Sequence, residues 1–163
     1  MGEQPRVLVT GAGGFIGNHL VTFLKEKGYW VRGVDIKLPE FAESDADEFL
    51  LLDLRRRDNC LEAMGGIHEV YGLAADMGGM GFIENNKALC MLSVLINTHL
   101  LMASKEAGVE RLFFASSACV YNAEKQQSPE VVPLREADAY PAMPEDGYGW
   151  EKLFSERMCR HFQ

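Results

Sequence analysis

The feature that most constrains this chain lies near its start, where a short β-branched apolar run, Arg6–Thr10, ends on Gly11-Ala-Gly-Gly-Phe-Ile-Gly17. An unbroken apolar run of that length predicts a strand buried on both faces, as in parallel sheets. Helical spacing follows at Ile16, Leu20, Phe23 and Leu24, and Gly28 stands where such a helix stops. In the G-x-x-G-x-x-G loop, Gly11 lets the chain turn sharply off the strand. Gly14 lets the backbone approach a pyrophosphate, and Gly17 lets the helix pack on the sheet. The free N–H groups and positive dipole end of the helix then face the phosphates. Glycines alone mark a turn; set between a strand and a helix they point to a dinucleotide.

The same alternation continues. Strands are predicted at 30–35, 49–53, 68–74 and 111–116, and helices at 58–64, 84–107 and 148–161. The long helix 84–107 carries Ala88, Leu92, Leu95, Ile96 and Ala103 on one face, and Gly108 stops it. Residues 122–147 are polar and proline-containing and read as loop. Strands alternating with helices imply right-handed crossovers and a doubly wound parallel α/β sheet, the Rossmann fold. At 163 residues the chain is the size of one such domain, 1–163.

Composition excludes several classes. A net charge of −8 with no basic run is wrong for a nucleic-acid surface. Cys60, Cys90, Cys119 and Cys159 form no CxxC pair and have no histidine at ligand spacing, so no metal site is expected. Scattered single cysteines fit a reducing compartment. The start has no signal-peptide pattern and the apolar runs are short for a bilayer, so a cytoplasmic protein without a membrane partner is expected.

Asp35 closes the second predicted strand, where a carboxylate accepts both ribose hydroxyls of an adenosine and repels a 2′-phosphate, so NAD is expected over NADP. Asp53, at the end of the third predicted strand, either reaches the adenine edge or simply forms a turn. Tyr148 and Lys152 form Y-x-x-x-K on one helical face. An ammonium and a nicotinamide cation near a phenol favour the phenolate and lower its pKa. Alone, the pair is an ordinary amphipathic one. With the glycine loop and with Ser117, placed to bond an alcohol, it reads as catalytic.

Taken together, TGAGGFIG, LAAD, SSACVY and YGWEK resemble the extended short-chain dehydrogenase/reductase family of nucleotide-sugar enzymes. LAADMGGMGFIENN, SSACVY and DGYGWEKL narrow the resemblance to its GDP-mannose 3,5-epimerase branch. The resemblance implies NAD held by Gly11, Gly14, Phe15, Ile16, Gly17, Asp35, Asp53, Leu73, Tyr148 and Lys152. It implies Gly78, Ser117, Ala118 and Cys119 at a nucleotide sugar, GDP-mannose in this branch. Tyr148 would take the C4 hydroxyl proton and Cys119 would act as acid/base at C3 and C5, with Ser117 and Lys152 in support. In the family a second acid/base lysine and a nucleotide-binding lobe follow the Tyr/Lys helix. The expectation is therefore a C-terminally incomplete fold, lacking the substrate domain and inactive by itself. The alternatives are an NAD-binding module without chemistry, or another 4-epimerase or dehydratase. Helix 84–107 and an unpaired fifth strand carrying Phe113 and Phe114 lead to the expectation of a homo-oligomer.

Overall fold

The computed structural model describes residues 4–126 and 133–163, so part of the predicted loop 122–147 lies outside the described residues. The chain divides into two compact units, Met1–Ala75 with Leu95–Ala115, and Asp76–Val94 with Ser116–Gln163.

In the first unit, β1 (Arg6–Thr10), β2 (Trp30–Asp35), β3 (Glu48–Leu51), β4 (Glu69–Gly72) and β5 (Arg111–Phe114) form one sheet in the order β3-β2-β1-β4-β5. Every pairing is parallel. Successive side chains of β1 leave opposite faces of the sheet, as the period of two requires. Val7 and Val9 enter a core with Val21 and Leu24 of α1 (Phe15–Glu26). Leu8 enters another with Cys60, Ala63 and Met64 of α2 (Arg57–Met64) and Ile96, Leu100 and Ala103 of α4 (Lys87–Ala107). Helices on both faces make the sheet doubly wound, as its alternating pattern predicts. The strand order reverses direction between β1 and β4, so the crevice beyond their carboxyl ends is the place for a ligand.

Three predicted strands are longer than the observed ones. The apolar runs continue past the ladder: Leu52 and Ala115 still donate backbone bonds to Asp35 and Gly72, but the chain then leaves the sheet. Asp53 is therefore in the turn after β3, not at its end. The predicted helix 84–107 is two helices, α3 (Met80–Asn85) and α4, broken at Asn86. Its expected face is also corrected. The buried stripe of α4 runs through Cys90, Ser93, Ile96, Asn97, Leu100, Ala103 and Ser104, while Ala88, Leu92 and Leu95 are exposed. A count of apolar residues misses small and polar side chains that bury well once they are hydrogen-bonded. On α1 likewise Gly17, Val21 and Leu24 face inward, and Ile16 and Phe23 outward. By length and composition alone α4 is apolar enough to cross a membrane, contrary to expectation. Its Ile96, Leu100 and Ala103 are instead built into the core beneath the sheet.

Arg32 is buried within β2. Its guanidinium donates to Glu48 Oε2 at 2.7 Å and to the carbonyls of Ala63 and Gly65 at 2.7 and 2.9 Å, so it caps the end of α2. Positive charge at a helix carboxyl end complements the dipole.

In the second unit, α3 and the start of α4 accompany 3-10 turns at Ala118–Val120, Ala123–Gln126 and Glu136–Ala139, followed by α5 (Asp146–His161). Val120, Ala139 and Leu153 form its small core. Two glycines in α5 set how closely it packs. A Cβ on Gly147 would sit 2.6 Å from the Lys87 carbonyl oxygen, and one on Gly149 would sit 2.3 Å from the Cys119 carbonyl oxygen. No other residue fits at either place. Buried Asn122 donates to the Pro141 carbonyl at 2.9 Å and accepts from the Glu124 amide at 2.9 Å, which ties the start of the turn at Ala123–Gln126 to the residue pair after Glu136–Ala139.

Arg32→Ala removes bonds made by a charged donor and strands two carbonyls. It is expected to lower the unfolding free energy by about 2–3 kcal/mol, with Arg32→Lys recovering part of the loss. Urea denaturation followed by circular dichroism measures both.

Candidate functional site

Of the residues assigned to the cofactor, Gly11, Gly14, Phe15, Ile16, Gly17, Asp35 and Leu73 lie at or just after the carboxyl ends of β1, β2 and β4, and Asp53 follows β3. Gly11 has φ +71, a left-handed conformation that disfavours a side chain. Its Cβ would lie 3.0 Å from Leu73 C and Ala74 N, so the turn after β1 rests on the segment after β4. A residue without any motif to mark it locks the two together: the fully buried Thr10 hydroxyl accepts the amides of Leu73 and Ala74 at 3.0 and 3.1 Å. Leu73 itself packs into the core beside α1.

The glycines of the loop divide into two kinds. On Gly17 a Cβ would lie 2.0 Å from the Gly11 carbonyl oxygen, so helix α1 starts in contact with the turn. Gly13, outside the G-x-x-G-x-x-G spacing, is as tight: its Cβ would lie 2.1 Å from the Lys37 carbonyl oxygen and 3.0 Å from Asp35 Cγ. The doubled Gly13-Gly14 is the signal in the sequence that could have shown it. Gly14 differs, because its Cβ would meet only the Gly11 carbonyl oxygen at 3.3 Å. Its bareness clears space outside the protein, which is what a closely approaching pyrophosphate needs. Gly14 is also the N-cap of α1; it offers no side-chain bond to the first-turn N–H groups, and no acidic residue stands in that turn. Phe15 and Ile16 beside it are exposed. These features fit an anionic dinucleotide.

The Asp35 carboxylate accepts the Gly13 amide on Oδ2 at 2.9 Å and those of Ile36 and Lys37 on Oδ1 at 2.7 and 3.2 Å. A carboxylate has about four acceptor positions. Among the described residues three are taken, and the remaining one is on Oδ2. Asp53 is bound to its own turn: Arg55 contacts both carboxylate oxygens at 2.8–3.1 Å, and the Arg55 amide adds a bond at 3.0 Å. The Arg55 bond holds its carboxyl below the usual range against the effect of burial.

The second unit collects the residues assigned to chemistry. Tyr148 is buried at 6% exposure, and Lys152 Nζ lies 5.5 Å from its ring centroid, as the i, i+4 spacing requires. The phenol donates toward Met77 Sδ at 3.9 Å. Burial pushes the Tyr148 phenol up from its ordinary value, with a Ser117 hydrogen bond opposing it. The expected lowering is therefore not the state of the protein by itself, because desolvation of the phenolate outweighs what Ser117 supplies. Ser117 does not end β5, which stops at Phe114. It caps the 3-10 turn by accepting the Cys119 amide at 3.2 Å. Ser117 thus joins Cys119 and Tyr148, with exposed Ala118 between.

On Gly78 a Cβ would lie 2.8 Å from Phe82 Cβ, so the residue is bare where it packs against α3. Its neighbours Gly79 and Gly81 meet nothing within 4 Å and are the open positions of that loop. Among the described residues no group of histidines, cysteines and carboxylates could hold a metal ion.

The sequence profile of the NAD dependent epimerase/dehydratase family matches residues 7–163. GDP-mannose 3,5-epimerase 1 of Oryza sativa subsp. japonica is 46% identical, over 98% of this chain and 43% of that protein. GDP-mannose 3,5-epimerase of Arabidopsis thaliana is 44% identical over the same shares. The chain thus spans less than half the length of these curated relatives. The UDP-glucose 4-epimerase of Thermus thermophilus, solved in complex with NAD, superposes with a TM-score of 0.81 at 27% identity, over 96% of this chain and 50% of that one.

Cys60 and Cys90 are buried, while Cys119 and Cys159 are partly exposed. Burial pushes Cys60 up to about 12 and also raises Cys90 and Cys159. Cys119 is partly exposed. In thiol titration with a disulfide reagent at about pH 8, Cys119 is expected to react first, and Cys119→Ser to remove the fast phase.

Proposed function

The chain belongs to the NAD-dependent epimerase/dehydratase family, and on that premise we propose that it is the NAD-binding part of a GDP-mannose 3,5-epimerase. What carries the reading is Cys119, a thiol held through Ser117 beside the Tyr148 phenol, where relatives with plain 4-epimerase or dehydratase activity usually place threonine or an acid. The likeness to the rice and Arabidopsis enzymes supports the choice of sugar nucleotide.

In this reading Gly14 and the first turn of α1 receive the pyrophosphate, and Oδ2 of Asp35 receives one hydroxyl of the adenosine ribose. NAD⁺, when bound, supplies the hydride acceptor at C4 of the hexose and the hydride that closes the cycle. Tyr148 accepts the C4 hydroxyl proton as that carbon is oxidised. The Lys152 ammonium beside the ring favours the phenolate, offsetting the burial that holds the phenol protonated. Ser117 bonds the reacting oxygen. Oxidation at C4 acidifies the adjacent C–H groups at C3 and C5. Cys119 exchanges protons there on one face of the sugar, a task suited to a thiol because its ordinary pKa is close to neutrality and easily tuned; inversion needs a second acid/base on the opposite face, the lysine that the family places after the Tyr/Lys helix.

Two measurements check this reading. Calorimetry is expected to show NAD⁺ bound more tightly than NADP⁺, and Asp35→Ala to cost about tenfold in NAD⁺ affinity, one good hydrogen bond to a charged group. Equal binding of the two cofactors by the wild type would remove Asp35 from the ribose. The protein at its full encoded length, incubated with GDP-mannose and NAD⁺ in D2O, is expected to place deuterium at C3 and C5. Cys119→Ser should abolish that exchange while leaving C4 oxidation intact. NAD⁺ binding without exchange by the wild type would make it a binding module, and exchange at the wild-type rate in Cys119→Ser would make the thiol a packing residue.

A further inference from the structure

The Y-x-x-x-K pattern asks nothing of position 151, yet that position is held by a buried acid. Glu151 is 2% exposed and Lys152 3%. Adjacent residues on a helix point about 100° apart, but Glu151 Oε2 reaches to 3.7 Å from Lys152 Nζ. Its other oxygen accepts the hydroxyl of fully buried Ser155, one turn on, at 2.8 Å. Ser155 therefore fixes the rotamer that brings the carboxylate round to the lysine. A carboxylate and an ammonium removed from water stay ionised only when paired and hydrogen-bonded; here the two charges face each other and the carboxylate is anchored by the Ser155 hydroxyl.

The other titratable groups around the pair are Tyr148 on α5, Cys90 on α4, Asp76 ahead of α3 and Cys119 in the 3-10 turn. Cys90 feels the charges of both Asp76 and Glu151. Tyr148 feels Cys119, Glu151 and Cys90. All of these are acids or neutral groups, and Lys152 brings positive charge among them. Burial pulls the Lys152 ammonium down from its ordinary value, and Glu151 pushes it back up, by charge and by hydrogen bonding.

We propose that Glu151 is a positioning residue for the Tyr148–Lys152 pair: its buried carboxylate keeps the Lys152 ammonium charged and aimed along the Tyr148 ring. This rests on Tyr148 and Lys152 being the reactive pair. Glu151 touches no reacting atom in this role; it acts through the lysine. A glutamine at this position keeps the shape and can still accept the Ser155 hydroxyl, so it removes the charge alone.

The test is a carbon NMR titration of protein labelled with ¹³C at lysine Cε, the Lys152 signal being identified by its loss in Lys152→Met. Glu151→Gln is expected to lower the proton affinity of Lys152 by tenfold or more, about one pH unit, and Glu151→Asp to lie closer to the wild type. A Lys152 that titrates at the same pH in Glu151→Gln as in the wild type overturns the proposal. Should Glu151→Gln fail to fold, the wild-type Glu151 carboxyl carbon decides: an ionised carboxylate at neutral pH is required, and a protonated one overturns the proposal. The readout needs neither substrate nor turnover. Absence of epimerisation would defeat the proposed function and leave this result standing, whereas an unshifted Lys152 would defeat the role of Glu151 alone.

Discussion

The contact on which the first unit depends is between the opening turn of α1 and the turn that precedes it. At Gly17 the helix backbone is so close to the Gly11 carbonyl oxygen that a Cβ would lie 2.0 Å from it. That approach brings the amino end of α1 directly over the end of β1, where its unpaired N–H groups and dipole act on one spot. Gly13, packed on the Lys37 carbonyl, brings the loop after β2 to the same place and donates to Asp35. Thr10 brings in the segment after β4 by accepting two of its amides. Three loops are thus held together, by two backbone approaches that no larger side chain would permit and by one side-chain hydroxyl.

The second unit uses the same device for another purpose. Gly147 and Gly149 cost helix stability, since glycine is a poor helix former. In return α5 comes within backbone contact of Lys87 on one side and Cys119 on the other. The Gly149 contact places Tyr148 and Lys152 on the helix that lies against the Cys119 turn, while Ser117 caps that turn and bonds the phenol. Burial then sets the electrostatics. Desolvation raises Tyr148 and lowers Lys152; Ser117 opposes the first shift and Glu151 the second.

Much of this was legible in the chain. The run Arg6–Thr10, the glycines after it and the later alternation of apolar runs and helical spacing predict a doubly wound parallel sheet, because those patterns have few other solutions. Asp35 at a strand end and the i, i+4 pair Tyr148 and Lys152 stand out by position and spacing alone. Other features were not legible. The inward face of α4 includes Cys90, Ser93 and Asn97; Ser93 accepts the Asp76 amide at 2.9 Å, a partner that helical spacing does not reveal. Thr10 gave no signal, because a threonine ending a strand is ordinary until two amides converge on its hydroxyl. The contacts of Gly78 with Phe82 and of Asp53 with Arg55 are ones that neither motif predicts.

By itself the sequence determined the order of strands and helices, the sharp turn at Gly11 and the pairing of Tyr148 with Lys152. Each of these follows from local periodicity or from the conformational freedom of one residue type. Only the tertiary structure decided which glycines are bare for packing, which acceptor positions of Asp35 are taken, and that the acid beside Lys152 turns inward to meet it. Those outcomes depend on what lies within a few ångströms from residues far away in the chain, and periodicity along a sequence carries no record of such distances.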